Sequence, residues 1–156
     1  MGWVRILVDG YSVLHQCLEI APGQPRHGVV ARDELVRLLA QYQDVMGIPI
    51  TVVFDGNNAS GKVCEEWSTW GLEVLYSPRG KTADDIIERV THRFLEYGDV
   101  LVATDDYAEQ NTVVSLGGSV SGVRAFMQEA EKRWAGFQDK LKRLNQREQR
   151  SFKRGI

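Results

Sequence analysis

A chain of 156 residues with 43% hydrophobic content has enough apolar mass for a packed core, which excludes global disorder. Its formal net charge of −2 says nothing of partners, but the charge is uneven: residues 1–131 hold 10 Lys/Arg against 19 Asp/Glu, and residues 132–156 hold 9 against 2. Cys17 and Cys64, 47 positions apart, make neither a disulfide framework nor a metal motif. They read as reduced thiols, and with no charged leader and no run of about 18 apolar residues the expectation is a cytoplasmic protein, or a stromal one in a plastid-bearing source, that does not span a membrane.

The predicted elements alternate between strand and helix. Val4-Arg5-Ile6-Leu7-Val8 is a short β-branched run that reads as a buried strand, and Tyr11 to Ile20 suits a short helix. Residues 21–28, rich in Pro and Gly, form a loop. Apolar residues then recur at helical spacing from Val29 to Met46, and Gly47 stops the helix. A second strand covers 49–54, a polar loop 56–63, and one or two helical turns Val63 to Trp70. A strand follows at Leu72 to Tyr76, a helix at Thr82 to Tyr97 with an apolar stripe at Ile86, Ile87, Val90 and Phe94, a strand at 99–104 and a helix at Asp106 to Leu116. A very short fifth strand fits Ser119-Val120, and Ser121 is placed to N-cap a terminal helix running to about residue 153. The pattern predicts one α/β domain over 1–156, with a central parallel sheet of four to five strands and a long C-terminal helix.

Carboxylates stand where the apolar runs end. Asp9-Gly10 closes the first run, Asp55-Gly56 the second and Asp105-Asp106 the fourth, while Asp84-Asp85 opens the helix after Thr82. In an open parallel sheet the carboxyl ends of the strands share one edge, where ligands bind. Each acid has an ordinary explanation taken singly: Asp-Gly is a common turn, and acids in a first helical turn are stabilised by about 0.3–1 kcal/mol. Together they raise one another's pKa unless a cation intervenes, and Mg²⁺ or Mn²⁺ is the hard ion that carboxylates prefer. Such an ion lowers the pKa of bound water and stabilises charge in an in-line attack on phosphorus. The three histidines lack ligand spacing, which disfavours zinc and leaves His15 a weak general-base candidate.

These segments resemble the PIN-like nucleases and, within them, the YacP-like branch of the NYN superfamily, ribosome-associated endoribonucleases that cut mRNA. The resemblance rests on Ile6-Leu7-Val8-Asp9-Gly10-Tyr11-Ser12-Val13, Ala31-Arg32-Asp33-Glu34-Leu35, Val52-Val53-Phe54-Asp55, Lys81-Thr82-Ala83-Asp84-Asp85-Ile86-Ile87-Glu88 and Val102-Ala103-Thr104-Asp105-Asp106-Tyr107-Ala108-Glu109-Gln110, in the family's order. It implies a PIN-like three-layer α/β/α sandwich and a Mg²⁺ site. It implies that Asp9, Asp84 and Asp106 bind metal, with Asp85 and Asp105 as further metal candidates, and that Asp55 assists catalysis. Ser12 stands where the family usually has Asn, and its hydroxyl is expected to orient water or phosphate. The implied activity is Mg²⁺- or Mn²⁺-dependent cleavage of single-stranded RNA, mRNA on the ribosome, by a monomer or weak homodimer.

The RNA-binding candidates are Arg32 early in the second helix, Lys62 in the polar loop, Arg79 and Lys81 before Asp84, and Arg143 and Arg147 in the basic tail. Trp134, Phe137, Leu141 and Leu144 keep helical spacing within that tail and read first as core packing. A second class of function stays open, an RNA- or ribosome-binding module without turnover. A phosphotransfer enzyme using Asp9 or Asp55 as acceptor is a third, although Asp9-Gly10-Tyr11 lacks the Asp-x-Asp that such enzymes use. No Gly-x-Gly-x-x-Gly follows a strand, which disfavours dinucleotide binding.

Overall fold

The computed structural model describes residues 2–58, 64–69 and 71–155, and the side chains among these outside 57–70 and 154–155. In chain order the elements are β1 (Trp3–Asp9), α1 (Gly10–Gln16), α2 (Val29–Met46), β2 (Ile50–Asn58), β3 (Cys64–Thr69), β4 (Leu72–Pro78), α3 (Ala83–Phe94), β5 (Asp99–Ala103), α4 (Tyr107–Leu116), β6 (Ser119–Ser121) and α5 (Val123–Gly155). The sheet order is β3-β4-β2-β1-β5-β6. Five of these strands are parallel, and β3 adds to the β4 edge in antiparallel sense.

Alternation along the strands feeds two cores. Ile6, Val8, Ile50, Val52 and Phe54 pack with Leu14, Leu35, Leu39 and Phe126 under α1, α2 and α5. Leu7, Val53, Val100 and Val102 point the other way, against Ile86, Ile87 and Val113 of α3 and α4. Helices thus cover both faces of the parallel strands, the three-layer arrangement the sequence pattern predicts. Gly10, the first residue of α1, lies so close to the Phe54 ring that a Cβ would collide with it. That close packing, rather than a turn, is what requires glycine after Asp9.

Several boundaries depart from the sequence reading. Residues 64–69 are a strand, not helical turns: six residues are too few for a helix to stand alone, and β4 offers an open row of backbone partners. Helix α1 stops at Gln16 because the carbonyls that follow are taken by one side chain. Arg26 donates to the carbonyls of Leu14, Cys17, Ile20, Ala21 and Gln24 at 2.6–3.4 Å, tying residues 14–26 into a fixed loop. Helix α3 ends at Phe94 rather than Tyr97. Ser121 lies in β6 and does not cap α5. The backbone N–H of Val123 donates instead to Asp105 Oδ1 at 3.0 Å, so an acid at the end of β5 starts the terminal helix.

Helix α5 packs through Val123, Phe126, Met127 and Ala130, with Trp134 at the margin of the core. Beyond it the helix projects, and Phe137, Leu141, Leu144 and Phe152 are 40–72% exposed. The core-packing reading of Phe137, Leu141 and Leu144 is therefore corrected: they are exposed and belong to neither core cluster. Among the described residues, no helix is long and apolar enough to cross a membrane.

Candidate active site

The carboxyl ends of β1, β2 and β5 open into a cavity of about 390 Å³ lined by Asp9, Ser12, Asp55, Asp84, Asp105 and Asp106, among others. The strand-end rule thus gathers the acids it singled out, apart from Asp85, but gives them different tasks. Asp9 ends β1 and caps α1. It is 8% exposed, and its Oδ2 accepts from Ser12 Oγ at 2.9 Å and Thr104 Oγ1 at 3.2 Å, while Oδ1 accepts weakly from Ser12 N at 3.4 Å. Burial pushes its pKa up against those hydrogen bonds, and the charge of Asp84 adds to the rise. Ser12 therefore orients the Asp9 carboxylate, a task a hydroxyl performs as well as an amide.

Asp84, in the first turn of α3, lies near Asp9, and a third acid, Glu109 of α4, joins them. Ligand atoms of Asp9, Asp84 and Glu109 all lie within 4.8 Å of one another. Glu109 is 4% exposed, and among the described residues it is the only carboxylate with both oxygens buried and without a hydrogen bond of good geometry. Its pKa is pushed up to about 10, first by burial, then by Asp84, whose carboxyl competes for the same proton, and by the charge on Asp9. A buried acid facing two more acids is unfavourable unless it stays protonated or a cation enters. Three carboxylates within reach of one point and no imidazole or thiolate among them make a donor set for a hard divalent ion.

The other acids are engaged elsewhere. Asp55 Oδ1 accepts from Ala83 N and from Ser77 Oγ, anchoring the start of α3 to the end of β2. Asp85 is exposed and closes a capping box with Thr82: Thr82 N donates to Asp85 Oδ2 at 2.9 Å and Asp85 N to Thr82 Oγ1 at 3.2 Å. The bond from the Thr82 backbone N–H lowers its pKa. Asp105 caps α5, and Asp106 Oδ1 caps α4 by accepting from Ala108 N at 2.9 Å and Glu109 N at 3.3 Å. Asp85, Asp105 and Asp106 stand outside the close carboxylate group, and Glu109, to which the sequence reading assigns no role, takes the third place.

None of the described basic candidates lines the cavity. Arg32 Nη1 donates to Tyr11 OH at 3.4 Å, and its guanidinium sits 5.8 Å from the Tyr76 ring centroid. Arg79 and Lys81 are exposed in the turn before α3, and Arg143 and Arg147 flank Leu144 on the projecting part of α5. Lys62 falls outside the described residues.

A parallel sheet with an acidic pocket at its carboxyl edge is one in which nuclease-like chemistry can be housed, and the comparisons place the chain in a family of that kind. Residues 6–156 match the family described as the YacP-like NYN domain, and the chain belongs to that family. The chain is 28% identical over 127 residues to "Uncharacterized protein YacP" of Bacillus subtilis (strain 168), covering 81% of this chain and 74% of the relative. Its fold is similar to the crystal structure of Rae1 (YacP) from Bacillus subtilis, with TM-score 0.75, 24% identity and coverage of 97% and 86%. The W164L mutant of that protein gives the same TM-score and identity over 91% of this chain and 84% of the other. Membership of the family supports a nuclease-like, RNA-related function.

Proposed function

We propose that the protein is a Mg²⁺- or Mn²⁺-dependent endoribonuclease acting on single-stranded RNA, mRNA above all. The observation that carries this reading is Glu109: a buried carboxylate, without good hydrogen bonds, held beside Asp9 and Asp84, two acids that line the open pocket. Asp9, Asp84 and Glu109 hold the cation. When bound, such an ion activates water and stabilises the charge that builds on phosphorus in an in-line displacement. Ser12 and Thr104 fix the Asp9 carboxylate by donating to Oδ2, and Oδ1 keeps only a weak bond from the Ser12 backbone. Asp55 and the Thr82–Asp85 box hold the start of α3, and so hold Asp84. Asp105 and Asp106 set α5 and α4 at the pocket rim, where acidic side chains favour a cation.

The projecting basic half of α5 supports docking on a large polyanion, and the ribosome fits that role. A labelled single-stranded RNA incubated with Mn²⁺ tests the main reading. The wild type cuts it, while Asp84→Asn and Asp9→Asn fall to background and stay folded by circular dichroism. Full activity in both variants overturns the proposal.

A further inference from the structure

We infer that His15 and His27 form a phosphate-binding subsite for the RNA chain beside the acidic group, with Arg26 and Tyr11 as its positioning residues. The inference rests on RNA being the substrate and adds where a neighbouring phosphate is held.

Among the described residues lining the acidic cavity, His15 and His27 are the only side chains able to carry positive charge; five aspartates share that lining. A polyanion threading the cavity needs donors wherever the catalytic cation does not reach. The two histidines are 12 positions apart in sequence, yet their Nε2 atoms lie 3.2 Å apart, with ring centroids at 5.0 Å. This contact obliges one ring to donate and the other to accept, so while it persists the pair holds at most one positive charge and keeps its other ring nitrogens free for a ligand. His15 lies in the last turn of α1, where the carbonyl end of a helix favours a cation.

His27 is held in place by built structure. The Arg26 guanidinium beside it spends its donors on five backbone carbonyls, Leu14 in α1 and four in the loop that follows, which fixes the approach of His27 and leaves Arg26 no free role with RNA. The His27 ring lies 4.2 Å from the Tyr11 ring, tilted 37°, and Tyr11 in turn packs edge-on against buried Phe54. Both histidines are exposed, so core packing does not account for this preparation. Nor does a structural metal: no carboxylate or thiolate among the described residues joins the pair as a third ligand.

The test is a binding measurement that needs no turnover. Full-length protein carrying Asp84→Asn is titrated with fluorescein-labelled single-stranded RNA in EDTA, at about pH 6, where an ordinary imidazole is largely charged, and over a range of KCl. Adding His15→Gln and His27→Gln weakens binding several-fold at low salt. It also lowers the slope of log affinity against log salt by about 0.7–1, the change expected when one phosphate is no longer neutralised. His27→Lys keeps the slope, and Arg26→Lys reduces the affinity by loosening the loop. An unchanged slope in the double Gln variant overturns the subsite, as does a loss in His27→Lys equal to that in His27→Gln. Cleavage by the otherwise wild-type chain is scored separately with Mn²⁺. Absent cleavage with a shifted slope removes the nuclease reading and keeps the subsite, whereas cleavage with an unmoved slope does the reverse.

Discussion

Helices α3 and α4 start alike and end up with opposite chemistry. Each follows a parallel strand and carries an acid at its third residue, Asp85 in α3 and Glu109 in α4. At α3 the third-residue acid reaches back to the cap's own amide and completes a capping box. At α4 that amide is already taken: Asp106 N donates to Thr104 Oγ1 at 3.1 Å. Glu109 is released from capping and turned into the protein beside Asp84 and Asp9. One threonine hydroxyl occupies the amide that a capping acid would take, and the acid left over is the one proposed as a ligand. The two acids shift accordingly, Asp85 below the ordinary carboxylate range and Glu109 far above it.

Neutralising each acid in turn puts this contrast under the greatest strain. Glu109→Gln is expected to lose Mn²⁺ affinity in calorimetric titration and to reduce RNA cleavage to background, whereas Asp85→Asn keeps both. Next in size is Thr104→Val, which removes the acceptor for Asp106 N and one donor to Asp9. Cleavage is expected to fall about 10- to 100-fold, the range for groups that orient metal ligands, with Mn²⁺ affinity falling in step.

Stability against pH separates the acids by sign. Glu109 has a raised pKa, so in cation-free protein its contribution is fully present below the ordinary value near 4.5 and is lost as pH rises through about 10. Asp85 has a lowered pKa, so its contribution is present above the ordinary value near 3.8 and is lost as pH falls below it. Denaturant midpoints in EDTA should therefore decline toward alkaline pH, and Mg²⁺ or Glu109→Gln should flatten the decline. The smallest effect is expected from Thr82→Ala, which opens the capping box at a cost of about 1 kcal/mol. In a domain of this size that is a drop of roughly 2–4 °C in Tm, read by calorimetry.

The same contrast explains what the sequence revealed. Alternating β-branched runs and helical stripes were sufficient to place the parallel strands, both helical layers and the edge at which Asp9, Asp55, Asp84, Asp105 and Asp106 meet. They could not rank those acids, because the ranking depends on hydrogen bonds between residues brought together by the fold. Asp85 and Glu109 look equivalent as letters after a cap. The signal that could have found Glu109 was local: Thr104 stands two residues before the cap Asp106, near enough to take its amide and leave the third-residue acid unused. The His15–His27 pair was hidden for another reason. Its spacing of 12 fits no ligand motif, and only the Arg26 clamp folds the intervening loop back on itself. Residues 64–69 misled because a short polar segment shows no period of its own and takes its strand form from β4.

The function proposed for this pocket stands or falls with one hard cation shared by Asp9, Asp84 and Glu109. Anomalous diffraction from crystals soaked in Mn²⁺ would locate that ion. The expected result is an anomalous peak with oxygens of all three side chains at about 2.0–2.6 Å. Manganese bound through Asp85, Asp105 or Asp106, with Glu109 left without a ligand, would refute the arrangement.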